Sequence, residues 1–363
     1  MSPMRTFGAD QLEAFTAEAF ARHGMPPEDA AIAARTLIFS NLRGVDTHGV
    51  ARIPGYLKRF DLLLVNRTPR MRVESRFGWG ASVDGDNGMG PVVGQRAMDE
   101  ALARAAAHGI GMTTARHSNH FGAASYFALQ AVSHDCIGIV MSPASKSLAP
   151  FGSMEPLLGT NPIAAAAPAG RHAPWVMDMA TSISARGHIR LAARHGQSIP
   201  EGWALDRQGR PTTDAHAALA GVMLPFAGAK GSALAMMVEI LGGVLSGSAF
   251  GGGIRDMNLD FEKPQNVGHY FLAFKVEAFM PIATFNDRME TMIARIKALR
   301  PASGFAEVLY PGELEARVEA QRRATGIPLS PEVVEPLQAV ADQLGISLPE
   351  PLKSSDAAAQ ALS

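Results

Sequence analysis

The sequence predicts a mixed α/β (α+β) fold, with a central α/β core joined to a helical N-terminal region and followed by further helices. Three observations carry this. Apolar residues recur at helical spacing from the start to about Phe60. Strand-like and helical runs then alternate from about Ser82. Beyond about Pro301 the chain turns polar and helical again. The corresponding regions are 1–75, 76–300 and 301–363.

Taken in order, Asp10 followed by Glu13 has the spacing of a capping box, with Leu12, Phe15 and Phe20 as the apolar face and Gly24 as the stop. A second helix is predicted from Pro27 to Leu42, ended by Gly44. His48, Arg52, Tyr56 and Phe60 follow at fourfold spacing, with Pro54 imposing a kink or a late helix start. Pro91 to His108 reads as a helix closed by Gly109. Ile110–Ala115, a helix over Ala123–Ser133 and Cys136–Met141 read as a strand–helix–strand unit. Strands are then expected at Pro162–Ala167 and Trp175–Met179, and helices at Ser184–Arg194, Ala215–Leu219, Ser232–Leu241, Glu313–Ala324 and Pro331–Leu344. The last of these is expected to be capped by Ser330 and closed by Gly345, and the final dozen residues read as a loose tail.

Composition narrows the function classes. Of 363 residues, 47% are hydrophobic and 18% charged, enough apolar material for a sizeable core. The formal net charge of −1 gives no general attraction to nucleic acid or an acidic membrane. A single cysteine, Cys136, excludes an intrachain disulfide and fits a reducing, cytoplasmic setting. The N-terminal MSPMRTFGAD lacks a basic segment followed by an apolar run, so no secretory signal is expected. Ser232 to Ile254 is nearly uncharged, but Glu239 and its glycines favour a buried helix ending near Gly242–Gly243 over a membrane span.

Several residues could carry chemistry. His120, in RHSNHFGAAS, lies between a strand end and a helix start, where open α/β sheets bind ligands. The helix start would disfavour its protonated form, leaving a neutral imidazole able to take an alcohol proton; the alternative is a histidine capping its own helix. His117 and His120 form an H-x-x-H pair without a third ligand nearby, so no metal site is predicted. His48 and Arg52 would share one helical face, the arginine suited to a carboxylate, with Tyr56 extending it; the alternative is a solvated polar face. Lys230, before a helix in LPFAGAKGSALAMM, suits an anion, although the order is not that of a Walker loop. In MDMATSISARG the hydroxyls of Thr181 and Ser182 suit either a phosphate or the cap of the next helix. Gly88, Gly90 and Gly94 have the third glycine displaced from a dinucleotide fingerprint, and there is no G-x-S-x-G hydrolase motif.

Seven stretches, GVDTHGVARIPGY, NHFGAASYF, APFGSMEPLLGTNPIA, DMATS, IPEGWALDRQGRPTTD, LPFAGAKGSALAMM and YPGEL, stand in the order found in one family. The chain resembles the malate/L-lactate dehydrogenases of the non-Rossmann type, a group that also holds ureidoglycolate and sulfolactate dehydrogenases, 2,3-diketogulonate reductase and cyclic ketimine reductases. The resemblance implies a helical domain built from both chain ends, a non-Rossmann cofactor-binding core, NAD or NADP as cofactor, and a homodimer. It implies a small 2-hydroxy or 2-oxo carboxylic acid as substrate, with cyclic ketimine reduction as the alternative and an inactive binding protein on the same scaffold as a third reading. Carried onto this sequence, it makes His120 the proton acceptor, His48 the histidine that some members use as proton donor and Arg52 the carboxylate holder, with Thr47 beside His48; the fourfold spacing adds Tyr56 to the substrate side. It assigns Asp178, Met179 and Ala180, then Lys230 and Gly231, then Gly312, Glu313 and Leu314 to the cofactor. The chain departs from the family at His188, where relatives often have lysine, at Ala227, where many have glycine, and at Thr47, in place of serine.

Overall fold

The computed structural model describes residues 4–352, so the expected tail lies outside the described residues apart from Leu352. The chain begins with β1 (Arg5–Phe7), α1 (Ala9–Arg22), α2 (Pro27–Leu42) and α3 (Ile53–Asp61). The central part runs β2 (Arg72–Phe77), β3 (Gly80–Asp84), α4 (Gly90–His108), β4 (Ile110–Ser118), α5 (Ala124–Val132), β5 (Cys136–Met141), β6 (Ile163–Ala167) and β7 (Trp175–Met179). Then follow α6 (Arg186–Arg194), β8 (Ala204–Leu205), β9 (Pro211–Thr212), α7 (Ala215–Ala220), β10 (Val222–Met223) and α8 (Ala229–Val238). The chain continues through β11 (Val267–Lys275), α9 (Ile282–Lys297), α10 (Glu313–Thr325), β12 (Ile327–Leu329) and α11 (Pro331–Leu344).

Seven strands form the main sheet in the order β2-β3-β4-β11-β5-β6-β7. Only β3 and β4 pair in parallel; every other neighbouring pair is antiparallel. The expected strand–helix–strand unit is present as β4–α5–β5, but it is split. β4 and β5 run the same way but never touch, because β11 inserts between them and pairs antiparallel with both. Val267–Lys275 is a nine-residue apolar run rich in aromatics, the composition of a strand buried on both faces.

Alternation along β11 sends Phe271 and Ala273 to one face, against Met98 and Ala101 of α4 and Phe127 and Ala128 of α5. It sends Tyr270 and Leu272 to the other, against Val238 and Leu234 of α8. Fully burying a side chain such as Phe127 or Phe271 stabilises the fold by roughly 1.5–3 kcal/mol. A small sheet, β10-β8-β9, packs with α6 and α7 around Leu148, Ile189 and Ala218.

The helices at the two chain ends share one core: Phe7, Leu12, Phe20, Ile53 and Phe60 meet Ile327, Leu329, Val334 and Leu337. β1 and β12 pair antiparallel, Arg5 opposite Leu329 and Phe7 opposite Ile327. Several local expectations are corrected. Helix α1 begins at Ala9, with Gly8 at the cap position and no side-chain cap, so Asp10 is inside the helix. Ser330 occupies the cap position of α11 without a side-chain bond, while Gly345 closes that helix in the left-handed conformation. Helix α8 starts three residues earlier than expected and continues into a π-turn, Glu239–Val244, past the glycine pair. Among the described residues no helix is long and apolar enough to cross a membrane.

Candidate active site

The stretch around His48 is not one α-helical face. Asp46–His48 and Val50–Arg52 form two successive 3-10 turns separated by Gly49, and the α-helix starts only at Ile53, with Pro54 in its first turn. Asn41, buried at the end of α2, builds this corner: its Oδ1 accepts from the Val50 amide at 2.8 Å and its Nδ2 donates to Asp46 at 2.6 Å. The corner brings His48 over His120. Their rings stack at 5.4 Å with 24° between planes.

His120 follows β4 in the loop before α5. Its Nδ1 lies 2.7 Å from the Tyr56 hydroxyl, and the Gly122 amide donates to the same nitrogen at 3.4 Å. Its own amide donates to Gln265 Oε1 at 3.1 Å. It therefore does not cap α5, whose cap position is Ala123. Tyr56, read from the sequence as part of a substrate-facing side, is buried and turned to His120. Gly90 explains one unassigned glycine: a Cβ there would come within 2.2 Å of the His120 carbonyl oxygen, so the start of α4 supports the His120 loop directly.

Burial, with the positive charge of Arg52 next, holds His120 well below the usual imidazole pKa. Burial and Arg52 likewise lower His48 to about 4. Both rings keep a partly accessible edge, so crowding by surrounding protein atoms, more than loss of surface, desolvates them. The expected neutral His120 is thus obtained, but chiefly from burial and like charge, and α5 starts four residues further on. Burial also pushes the Tyr56 phenol up, keeping it protonated. Thr47 Oγ1 sits 3.0 Å from His48 Nδ1, and Arg52 Nε donates to the Thr47 carbonyl at 2.6 Å. That bond fixes the guanidinium and leaves its outer nitrogens for a ligand.

Behind this group, β11 supplies a residue the sequence reading missed. His269 is fully buried, with Nδ1 2.8 Å from Ser142 Oγ and Nε2 2.8 Å from Ser118 Oγ. Its ring stacks on Phe121 at 4.3 Å, and burial lowers its pKa to about 3. The signal was a histidine in the middle of the apolar run VGHYFLAFK.

The three remaining segments converge on the β7 edge. The Val176 amide donates to the Pro311 carbonyl at 3.0 Å, and a cleft of about 370 Å3 there is lined by Asp178, Gly312 and Leu314. The Phe226 amide donates to the Thr181 carbonyl at 3.1 Å, tying the Lys230 loop to the segment after β7. Ala227 has φ +47° and Gly228 φ +60°, which makes the sharp turn into α8 and leaves Lys230 exposed in its first turn, with Gly231 buried behind. Met179 and Ala180, after Asp178, are half-buried.

Two side chains of these segments are engaged within the protein. Asp178 accepts from the Ser125 amide in the first turn of α5 at 2.9 Å; burial raises its pKa and the Ser125 bonds lower it. Glu313 is turned away into ion pairs with Lys297 at 2.8 Å and Arg317 at 2.5 Å, leaving the backbone of Gly312–Leu314 at the cleft. Thr181 and Ser182 do not cap the next helix: they donate to Thr160 and Ser184 carbonyls, and α6 starts at Arg186. Among the described residues there is no cluster of three or more metal-ligating side chains.

Comparison with known proteins adds a finding. Residues 7–338 match the sequence pattern of malate/L-lactate dehydrogenases. The malate dehydrogenase of Pyrococcus horikoshii is 38% identical, covering 93% of this chain and 95% of its own. An NAD(+)-dependent ureidoglycolate dehydrogenase of Escherichia coli is 33% identical, covering 86% and 89%. An NADP(+)-dependent (2R)-3-sulfolactate dehydrogenase of Chromohalobacter salexigens is 35% identical, covering 94% and 97%. Among solved structures, sulfolactate dehydrogenase of Methanocaldococcus jannaschii superposes with TM-score 0.90 at 35% identity over 95% of this chain and 98% of that one. The delta1-piperideine-2-carboxylate reductase of Pseudomonas syringae superposes with TM-score 0.83 at 30% identity over 93% and 100%.

Proposed function

This chain belongs to the malate/L-lactate dehydrogenase family, and we propose that it oxidises a small 2-hydroxy acid, or reduces the matching 2-oxo acid, with NAD or NADP. The observation that carries this is the set His120, His48, Tyr56 and Arg52: a neutral base, its hydroxyl partner and a free guanidinium fork in one place. Arg52 holds the substrate carboxylate, with Thr47 beside it. A neutral His120 that accepts a proton on Nε2 carries its own hydrogen on Nδ1, donated to the Tyr56 oxygen, and in that tautomer Nδ1 gives up the long 3.4 Å bond from the Gly122 amide. As the C2 hydroxyl loses its proton to Nε2, Tyr56 holds the resulting imidazolium in place. A nicotinamide cofactor bound there would supply the acceptor or donor for the C2 hydride.

The β7 edge fits such a cofactor. Lys230 and the open turn before α8 suit a phosphate, and Asp178, Gly312 and Leu314 line a separate cleft at the strand edge. The strands around β11 are antiparallel, which supports a binding mode unlike that of a parallel dinucleotide-binding sheet. Both NAD(+)- and NADP(+)-dependent relatives exist, and the chain takes one of the two. Cyclic ketimine reduction is the second reading, favoured by the superposition on the piperideine-2-carboxylate reductase. The test is NADH and NADPH oxidation with pyruvate, oxaloacetate and a cyclic ketimine in parallel. Turnover confined to the ketimine overturns the first reading, and none with any of the three overturns both.

The chain acts as a homodimer in the cytoplasm. Support for the dimer comes from Met236, Ile240 and Val244, a stripe 43%, 57% and 51% exposed on α8 and its π-turn, flanked by exposed Leu245 and Phe250. Support for the compartment is the lone buried Cys136.

A further inference from the structure

A second constellation lies on the other side of the His120 loop. A cleft of about 570 Å3 opens at the ends of β3 and β4, walled by Arg70, Arg72, Asp84, Asp86, His117 and Asn266. We propose that this cleft binds a compact oxyanion of charge −2 or more, phosphate or polycarboxylate, through Arg70, Arg72 and His117.

The hydrogen-bond inventory sets the sign of the ligand. The acceptors are largely taken. Asp84 accepts from the Asp86 amide at 3.1 Å, from His117 Nδ1 at 3.0 Å and from Arg116 Nε at 3.2 Å. Asp86 Oδ2 accepts from Asn66 Nδ2 and from the Arg70 amide, both at 2.9 Å. The donors are left over. Among the described residues neither the Arg70 nor the Arg72 guanidinium has an ion-pair partner, although Arg116 beside them is paired. His117 spends Nδ1 on Asp84, which aims the ring, and its imidazolium form presents an unpartnered N–H at Nε2 to an anion. Asn266 gives its Oδ1 to Ser248, leaving its amide hydrogens. A cleft with free donors and occupied acceptors recognises an anion.

The backbone of the rim is preorganised. Of the eight non-glycine residues with positive φ among those described, four wall this cleft: Asp86, Asn87, His117 and Asn266, at +50° to +55°. Such conformations cost energy and persist where the surroundings over-determine them. Here the Asn87 amide donates to the His117 carbonyl at 2.8 Å, and Asn119 Nδ2 donates to Asn87 Oδ1 at 3.1 Å and to the Gly88 carbonyl at 2.9 Å. The catalytic reading uses none of these donors.

The test is isothermal titration of the full chain, without cofactor or substrate, with inorganic phosphate and with citrate. Saturable binding of either at about one per chain is expected, weakened at least tenfold in R70A/R72A and retained in R52K. The two titrants separate the phosphate from the polycarboxylate source. If R70A/R72A fails to fold, R70Q/R72Q takes its place. No saturable binding, binding unchanged in the double variant, or binding lost in R52K (which would place the anion at the catalytic arginine) overturns the proposal. No arm needs turnover, so failure of the dehydrogenase reading leaves this test standing.

Discussion

Tyr56→Phe removes one oxygen and little else. The ring stays packed on Phe20, with centroids 6.4 Å apart, so no cavity forms. What is lost is the 2.7 Å contact with His120 Nδ1, whose hydrogen is left without an acceptor because the neighbouring Gly122 amide is itself a donor. In the resting protein this is a bond between neutral groups, and a buried nitrogen deprived of it costs about 1–2 kcal/mol of stability. In the transition state the same contact faces a developing imidazolium, and a hydrogen bond to a charged group contributes roughly 1.5–3 kcal/mol. A bond between neutral groups contributes about 0.5–1.5 kcal/mol in the ground state, so only the difference, roughly 1–1.5 kcal/mol, reaches kcat, which at 1.36 kcal/mol per decade should fall by about 5- to 13-fold. The assay is steady-state kcat and both KM values beside a thermal unfolding curve. A folded variant with kcat within about twofold of the parent would refute the mechanism. A raised substrate KM with kcat unchanged would return Tyr56 to the substrate-binding role read from the sequence.

His120→Ala should lower kcat by roughly 10²–10⁴ with cofactor affinity nearly intact; if instead His48→Ala removes turnover and the acidic limb of the pH–rate profile while His120→Ala keeps both, the histidines exchange roles. Lys230→Ala should raise the cofactor KM far more than the substrate KM, and Arg52→Lys, which loses the planar fork, the substrate KM more than the cofactor KM; equal effects on both constants would count against the division. His269 has a folded-state pKa of about 3 against about 6.5 in the unfolded chain. The unfolded state therefore binds the extra proton as pH falls below about 6.5, so stability is full above that value and declines toward pH 3. Each such histidine steepens the decline by up to about 1.4 kcal/mol per pH unit, less for half-exposed His48, and urea midpoints that stay level from pH 6.5 to 5, above the carboxylate range, would contradict it. Light scattering should give a mass near twice 38.4 kDa, and the mass of one chain at micromolar concentration would reject the dimer.

What the sequence made legible is what local chemistry specifies. Pro27–Leu42, Cys136–Met141 and Pro331–Leu344 match the structure at both ends because prolines, glycines and apolar periodicity mark them. β11 was missed because a strand buried on both faces has no alternation, and without it the sheet's order is unreadable: β4 and β5 look like neighbours. The capping box at Asp10 failed because Gly8 supplies the cap position without a side chain.

The site shows the same division. His120, His48 and Arg52 were legible as residue types suited to a job, but not what sets their properties. The group bonded to His120 Nδ1 is sixty-four positions away on α3, and the groups that hold its loop, Gln265 and His269, arrive from β11 and the loop before it. Fourfold spacing placed His48, Arg52 and Tyr56 on one face; the 3-10 turns on either side of Gly49 break the helix between His48 and Arg52, and only from Arg52 to Tyr56 does the backbone stay helical. A helix start expected to keep His120 neutral lies four residues on, and burial beside Arg52 does that work instead. The same charge that would hold the carboxylate therefore also keeps the base unprotonated, so replacing Arg52 with a neutral residue should raise the basicity of His120 as it weakens substrate binding.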